Sequence, residues 1–157
     1  MKKKKILFVC LGNICRSSAA EAIMKKILER EGINEMIEVD SAGIISTHRG
    51  QFPDPRMRKY GALRGYEVNS ISRPVVTEDF HYFDMLIGMD DQNIADLKKK
   101  APSQETARKI SKIDRYFRYH DYSYIPDPYY GDKKEFDLTI DLLEDACEGL
   151  LEELRNE

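Results

Sequence analysis

Cysteine is scarce in this chain: three among 157 residues, an odd number. So few excludes a disulfide framework. Zinc also lacks a ligand set. Cys10 and Cys15 have no second Cys/His pair at ligand spacing, and His48, His81 and His120 are scattered. No apolar window reaches the length of a membrane span. Lys2–Lys5 imitate the head of a signal peptide, but Ile6–Leu11 is only six residues long and no small-residue cleavage site follows. The lysines read as the solvated start of a strand. A cytoplasmic protein without a membrane partner is expected. An excess of one charge is missing too: 25 Lys and Arg face 28 Asp and Glu, so the net charge of −3 gives no reason to expect nucleic acid as partner. What is present, 41% apolar and 34% charged residues, suits one soluble domain with one core spanning residues 1–157.

The pattern alternates strand and helix. Ile6–Cys10 reads as a buried strand. Ala20, Ile23, Met24, Ile27 and Leu28 recur at helical steps in Ser17–Glu31, with Ser17 or Ser18 as cap, Glu21 in the first turn and Gly32 as terminator. Ile37–Asp40 is a second strand, expected to stop at Ser41-Ala-Gly43. A loop over 44–55 leads to a helix over Pro55–Leu63. Asp84–Met89 is the third strand, Asp90–Lys100 a helix that Asp90 could cap, and Lys109–Ile113 the fourth strand. Residues 114–134 read as a long surface loop, and Leu138–Leu154 as a closing amphipathic helix. This order predicts an α/β fold with a parallel sheet covered on both faces. The site of such a sheet lies beyond the carboxyl ends of its strands, where strand order reverses.

The segment that directly follows the first strand is CLGNICRSS, Cys10–Ser18. Cys10 and Arg16 stand in a C-x5-R spacing. Gly12 and Asn13 are the residue types that best tolerate left-handed backbone angles. A loop of this kind curls its N–H groups inward into an anion nest. The helix that follows adds its positive end, and Arg16 adds a fork matched to two phosphate oxygens. The implied ligand is a phosphate-like dianion. The same field acts on sulfur: a free thiol titrates near about 8.5, and a helix N-terminus with cations brings it to roughly 3.5–7.5. Cys10 is therefore expected to face the nest as a thiolate, placed for in-line attack on phosphorus. The bland alternative is a buried, inert Cys10.

A poor leaving group needs an acid. Asp90 and Asp54 each lie at a helix start and read equally as caps. Asp127 lies in IPDPYYG, residues 125–131. Its flanking prolines keep it off regular structure, and Tyr129 and Tyr130 follow. A rigid acid beside aromatic rings suits protonation of an aryl oxygen; a surface turn with scattered tyrosines is the competing reading.

Together, VCLGNICRS and DPYYG, with DSAG at 40–43 and MDDQN at 89–93, resemble the low-molecular-weight protein tyrosine phosphatases, in order and spacing over essentially the whole chain. The resemblance implies a single-domain, flavodoxin-like, four-stranded parallel sheet with the phosphatase loop after the first strand. It implies Cys10 as nucleophile forming a phosphocysteine, Arg16 on the phosphoryl oxygens, and Asp127 as general acid and then base. Phosphate binding would fall to the loop residues Leu11, Gly12, Asn13, Ile14, Cys15 and Ser17, with Ser17 donating to the thiolate. Tyr129 and Tyr130 would line the mouth, Ile14 part of the wall, and Ser41 and Asp90 would support the loop. No metal and no cofactor are implied. The substrate would be a phosphotyrosine protein or a small aryl phosphate; the oligomeric state is not implied. Three positions depart from the family pattern. Ser18 replaces a usual proline, Thr47 stands at an often aromatic rim position, and Ser70 stands where a histidine often links to the loop through Asp90, so loop support must be built differently.

Three rival readings share parts of this pattern. A thioredoxin-coupled arsenate reductase would need relay cysteines downstream, where only Cys147 exists, at an apolar helix position. A phosphocysteine carrier of a sugar phosphotransfer system would have no use for Arg16 or a late acid. A pure redox sensor would use Cys10 and Cys15 alone.

Overall fold

Ile6, Phe8 and Cys10 alternate with Leu7 and Val9 along one strand, and both sets are buried. A period of two sends the sets to opposite faces, so the strand must be covered on both sides. A computed structural model describes residues 2–157 and shows the cover. The elements run β1 (Lys4–Cys10), α1 (Arg16–Arg30), β2 (Ile37–Gly43), α2 (Pro55–Leu63), α3 (Thr77–Tyr82), β3 (Met85–Gly88), α4 (Asp91–Lys100), α5 (Gln104–Ala107), β4 (Ile110–Lys112) and α6 (Lys133–Arg155). The four strands are parallel in the order β2-β1-β3-β4. Ile6 and Phe8 pack with residues of α1, α2 and α6, including Met24, Met57, Phe136 and Leu143. Leu7 and Val9 pack on the other face with Phe80 of α3 and Leu97 of α4. The expected α/β architecture is present, and β1 lies at its centre.

Several expected boundaries move, each for a local reason. β2 does not stop at Ser41: it runs to Gly43, which pairs with Cys10. A Cβ at Gly43 would stand 3.1 Å from the Leu11 carbonyl oxygen, a tight contact that glycine avoids where the strand passes close to the loop. Neither Ser17 nor Ser18 caps α1. The N-cap is Cys15, without a side-chain bond, and Glu21 lies beyond the first turn. Ser18 Oγ instead donates back to the Cys15 carbonyl at 3.1 Å. Two short helices, α3 and α5, fall below the length at which hydrophobic periodicity is readable. α6 starts at Lys133 because Asp132 accepts from Lys134 N and donates its own N–H to Glu135 Oε2. The segment before it is not all loop, since Ile113–Tyr116 forms one 3₁₀ turn.

That turn is seated on α6. A Cβ at Gly149 would overlap the Tyr116 carbonyl oxygen. One turn earlier, buried Asp145 accepts from the backbone N–H groups of Arg118, Tyr119 and His120 and from His120 Nδ1. Burial opposes charge on Asp145, but these donors outweigh it and hold the carboxyl below its usual range. No helix among the described residues is long and apolar enough to cross a membrane.

Candidate active site

β1 leads to β2 on one side and, later, is joined by β3 on the other. Its carboxyl end is therefore the switch point at which strand order reverses, and residues 11–15 open there into the turn before α1. Asn13 makes that turn possible. It has φ +58°, the only positive φ of a non-glycine residue among the described ones, and it is fully buried. Its side chain secures the conformation. Nδ2 donates to Ser17 Oγ at 2.7 Å and to Ser41 Oγ at 3.0 Å, and Oδ1 accepts from Arg73 N at 3.1 Å. Ser41 Oγ in turn donates to Glu21 Oε1 at 2.6 Å. Glu21, read from sequence only as a first-turn acid, thus anchors the loop from α1.

Ser70 does not take up the support role of the histidine it replaces: its Oγ is buried without a partner. Two residues later, Ser72 Oγ donates to the Gly12 carbonyl at 3.0 Å, beside the Arg73 bond to Asn13. The loop is braced from this strand-like segment by a hydroxyl and a backbone amide. The N–H groups of Gly12, Asn13, Ile14 and Cys15 are left without a backbone acceptor among the described residues, as a nest requires.

Cys10 Sγ lies at the floor. Ser17 N–H donates to it at 3.4 Å, and Ser17 Oγ lies 3.1 Å away. Because Asn13 already donates to that hydroxyl, the hydroxyl proton is free for the sulfur. Arg16 is buried at the helix start. Its Nη1 is committed, donating to Asp90 Oδ2 at 2.7 Å and to the Ile125 carbonyl at 3.0 Å, which leaves Nε and Nη2 for a ligand. Nη2 lies 3.7 Å from Asp127 Oδ2. Burial alone would disfavour the guanidinium charge, but Cys10, Asp90 and Asp127 outweigh it and hold Arg16 more firmly charged than usual. Asp90 does both jobs that its position allowed: Oδ2 holds Arg16, while Oδ1 caps α4 by accepting from Asn93 N at 2.8 Å. Burial, then Asp54, Cys10 and Asp127, push the Cys15 thiol far above the ordinary range.

These groups meet in one cleft of about 320 Å³. Its lining brings together Cys10, Leu11, Gly12, Ile14, Cys15, Arg16, Asp127, Tyr129 and Tyr130, all expected from sequence, with Thr47 at the rim. Asn13, Ser17 and Ser41 lie behind the loop rather than on its surface, each at most 2% exposed. Asp127 is half exposed at the mouth and its Oδ1 accepts from Tyr129 N at 3.1 Å. Tyr129 and Tyr130 meet edge to face, and Tyr130 stands 94% exposed. Asp54, the remaining acid candidate, is the cap of α2, bonded to Arg56 N. Two wall residues were missed, Ile45 and His48. The His48 ring packs so close over Gly12 that a Cβ there would lie 2.9 Å from Cδ2. Nothing in the local pattern of STHRG separates this histidine from the other two.

The family profile for low molecular weight phosphotyrosine protein phosphatases matches residues 5–157. The chain belongs to this family. A chicken low molecular weight phosphotyrosine protein phosphatase is 36% identical over 149 residues, covering 95% of this chain and 94% of its own. A solved protein tyrosine phosphatase from Entamoeba histolytica superposes with a TM-score of 0.95 at 49% identity, covering 98% of both chains. Bacillus subtilis YfkJ does so with a TM-score of 0.91 at 34% identity, over 99% of this chain and 97% of that one. The expectations of fold and family made from the sequence both hold for this phosphatase.

Proposed function

We propose that this phosphatase hydrolyses aryl phosphate monoesters, phosphotyrosine in particular, with Cys10, Arg16 and Asp127 in the roles that their positions in the cleft allow. The supporting observation is their convergence. One floor sulfur, one buried guanidinium with two free donor nitrogens, and one mouth carboxylate surround a single space.

The phosphoryl group binds in the nest of Gly12–Cys15 N–H groups and on Nε and Nη2 of Arg16. The deprotonated Cys10 sulfur attacks phosphorus, forming the S–P bond as the P–O bond to the aryl group breaks. Asp127 gives its proton to the departing oxygen. Water then attacks phosphocysteine, Asp127 takes its proton, and phosphate leaves with the sulfur restored. Leu11, Ile14, Ile45 and Tyr129 offer the aryl ring an apolar wall. Thr47 replaces an aromatic rim residue, so Tyr129 and Tyr130 carry the stacking alone. We assign the whole chain to one catalytic domain and place it in the cytoplasm, where low-valent sulfur is kept reduced.

Asp127→Asn tests the assignment. General acid help is worth about 10²–10⁴-fold. The variant should slow phenyl phosphate, with its basic leaving group, far more than p-nitrophenyl phosphate, whose phenolate departs unaided. Equal losses across a leaving-group series would make Asp127 structural, and selectivity appearing in Asp90→Asn instead would transfer the role.

Sensitivity to oxidation belongs to the same reading. Peroxide converts the Cys10 thiol to sulfenic acid and water; the Cys15 thiol then displaces a second water to form a disulfide. Both sulfurs are free and share the cleft. Wild type should recover with dithiothreitol after peroxide, bound phosphate should slow the loss, and Cys15→Ser should stay active but recover poorly. Peptide mapping that found Cys10 only as sulfinic acid, or bridged to Cys147, would return Cys15 to a packing role.

A further inference from the structure

The nucleophile ends β1, whereas the acid sits more than a hundred residues later on a loop outside the sheet. Something must fix their separation. The connecting atoms form a continuous path that starts on the phosphate loop. Asp54 N–H donates to the Ile14 carbonyl at 2.8 Å. The Asp54 carboxylate, nearly buried, grips Arg56 twice from the side, Nε on Oδ1 at 3.0 Å and Nη2 on Oδ2 at 2.8 Å. Held in that plane, the guanidinium reaches across to the other loop. Nη2 donates to the Tyr129 carbonyl at 2.8 Å and Nη1 to the Gly131 carbonyl at 3.2 Å. Its face lies over the Phe136 ring at 4.7 Å and the Tyr129 ring at 5.6 Å. Tyr129 N–H completes the path on Asp127 Oδ1.

A planar fork bound on one edge and donating from the other can hold two backbones at a set distance; an ammonium cannot. Arg56 does not itself line the cleft and reaches it only through Tyr129. From this path we infer that Arg56, oriented by Asp54, is a positioning residue for the general acid: it sets where Asp127 stands over the Cys10 loop. The inference rests on the proposed acid role of Asp127.

The position of an acid matters only in proportion to the help the leaving group needs. A misplacement of about 1 Å can cost on the order of 10²-fold. Arg56→Ala is therefore expected to reproduce the signature of Asp127→Asn in milder form, with kcat for phenyl phosphate falling at least roughly tenfold more than kcat for p-nitrophenyl phosphate. Inhibition by inorganic phosphate should stay within about twofold of wild type, because the cradle is intact. Arg56→Lys should behave like the alanine variant. Asp54→Asn keeps a capping side chain for α2 but loses the double grip, and should show the same selectivity even if Arg56→Ala fails to fold.

Asp127→Asn is measured alongside. If it shows leaving-group selectivity while neither Arg56→Ala nor Asp54→Asn does, the positioning role is overturned and the acid assignment stands. If Asp127→Asn shows none, both fall. A uniform loss across the series, or full rescue by lysine, would reduce Arg56 to a structural tie.

Discussion

Cys10→Ser should leave less than about one per cent of wild-type turnover while still binding inorganic phosphate or vanadate. The expectation follows from what the sulfur does and does not hold up. The loop keeps its shape through Asn13, Ser41, Ser72 and Arg73, none of which depends on Cys10. Serine fits the same space and accepts from Ser17 N–H. What it lacks is the intrinsic nucleophilicity of sulfur, since a serine hydroxyl is a weak nucleophile without a base to activate it. Turnover of p-nitrophenyl phosphate under reducing, metal-free conditions, paired with phosphate binding by calorimetry, separates the two properties. Activity above about one per cent would refute Cys10 as the nucleophile. Loss of binding together with turnover would show that the thiol shapes the cradle as well.

Arg16→Lys should be nearly as damaging, with a loss of about 10²–10³-fold in kcat/KM. The substitution keeps the charge, so an argument from electrostatics alone would predict a mild effect. The geometry says otherwise. Nη1 is already spent on Asp90 and the Ile125 carbonyl. A lysine has one nitrogen and must choose between those partners and the phosphoryl oxygens. If it turns to Asp90, the substrate loses its bidentate ligand; if it turns to the substrate, Asp90 and the Ile125 carbonyl lose their donor. Arg16→Ala should lose both phosphate binding and turnover. A lysine variant within about tenfold of wild type would mean that charge, not the fork, is what the site uses.

The sequence carried the site better than it carried the fold's details, for physical reasons. Cys10 and Arg16 stood out as candidates because of the left-handed residues and helix start around them, whereas Asp127, between its prolines, was singled out as the acid only by the family resemblance; the structure brings all three to one cleft. Asp90 was ambiguous between cap and site residue, and the ambiguity was real, since its two oxygens serve one role each. The anchoring roles of Glu21 and Arg56 were invisible because the partners that define them come from distant segments. Ser41 lies twenty residues from Glu21, and the Tyr129 carbonyl seventy-three from Arg56. The end of β2 was misplaced because Ser41-Ala-Gly43 reads as a turn by composition. Only the neighbouring loop shows why glycine suits a strand end there. The cap of α1 was misassigned because capping rules presume that a helix end should be satisfied. Here the loop keeps its N–H groups open for an anion.

The guanidinium of Arg16 also ties distant parts of the chain to one another. Its two fixed partners, Asp90 and the Ile125 carbonyl, lie 74 and 109 residues further along. Ile125 in turn is held by the Met89 carbonyl, and the segment leading to it is seated on α6 through Asp145. The fork is thus aimed by a frame that runs from α1 through the end of β3 to α6, and the phosphate site draws its geometry from the whole sheet and its cover rather than from one loop.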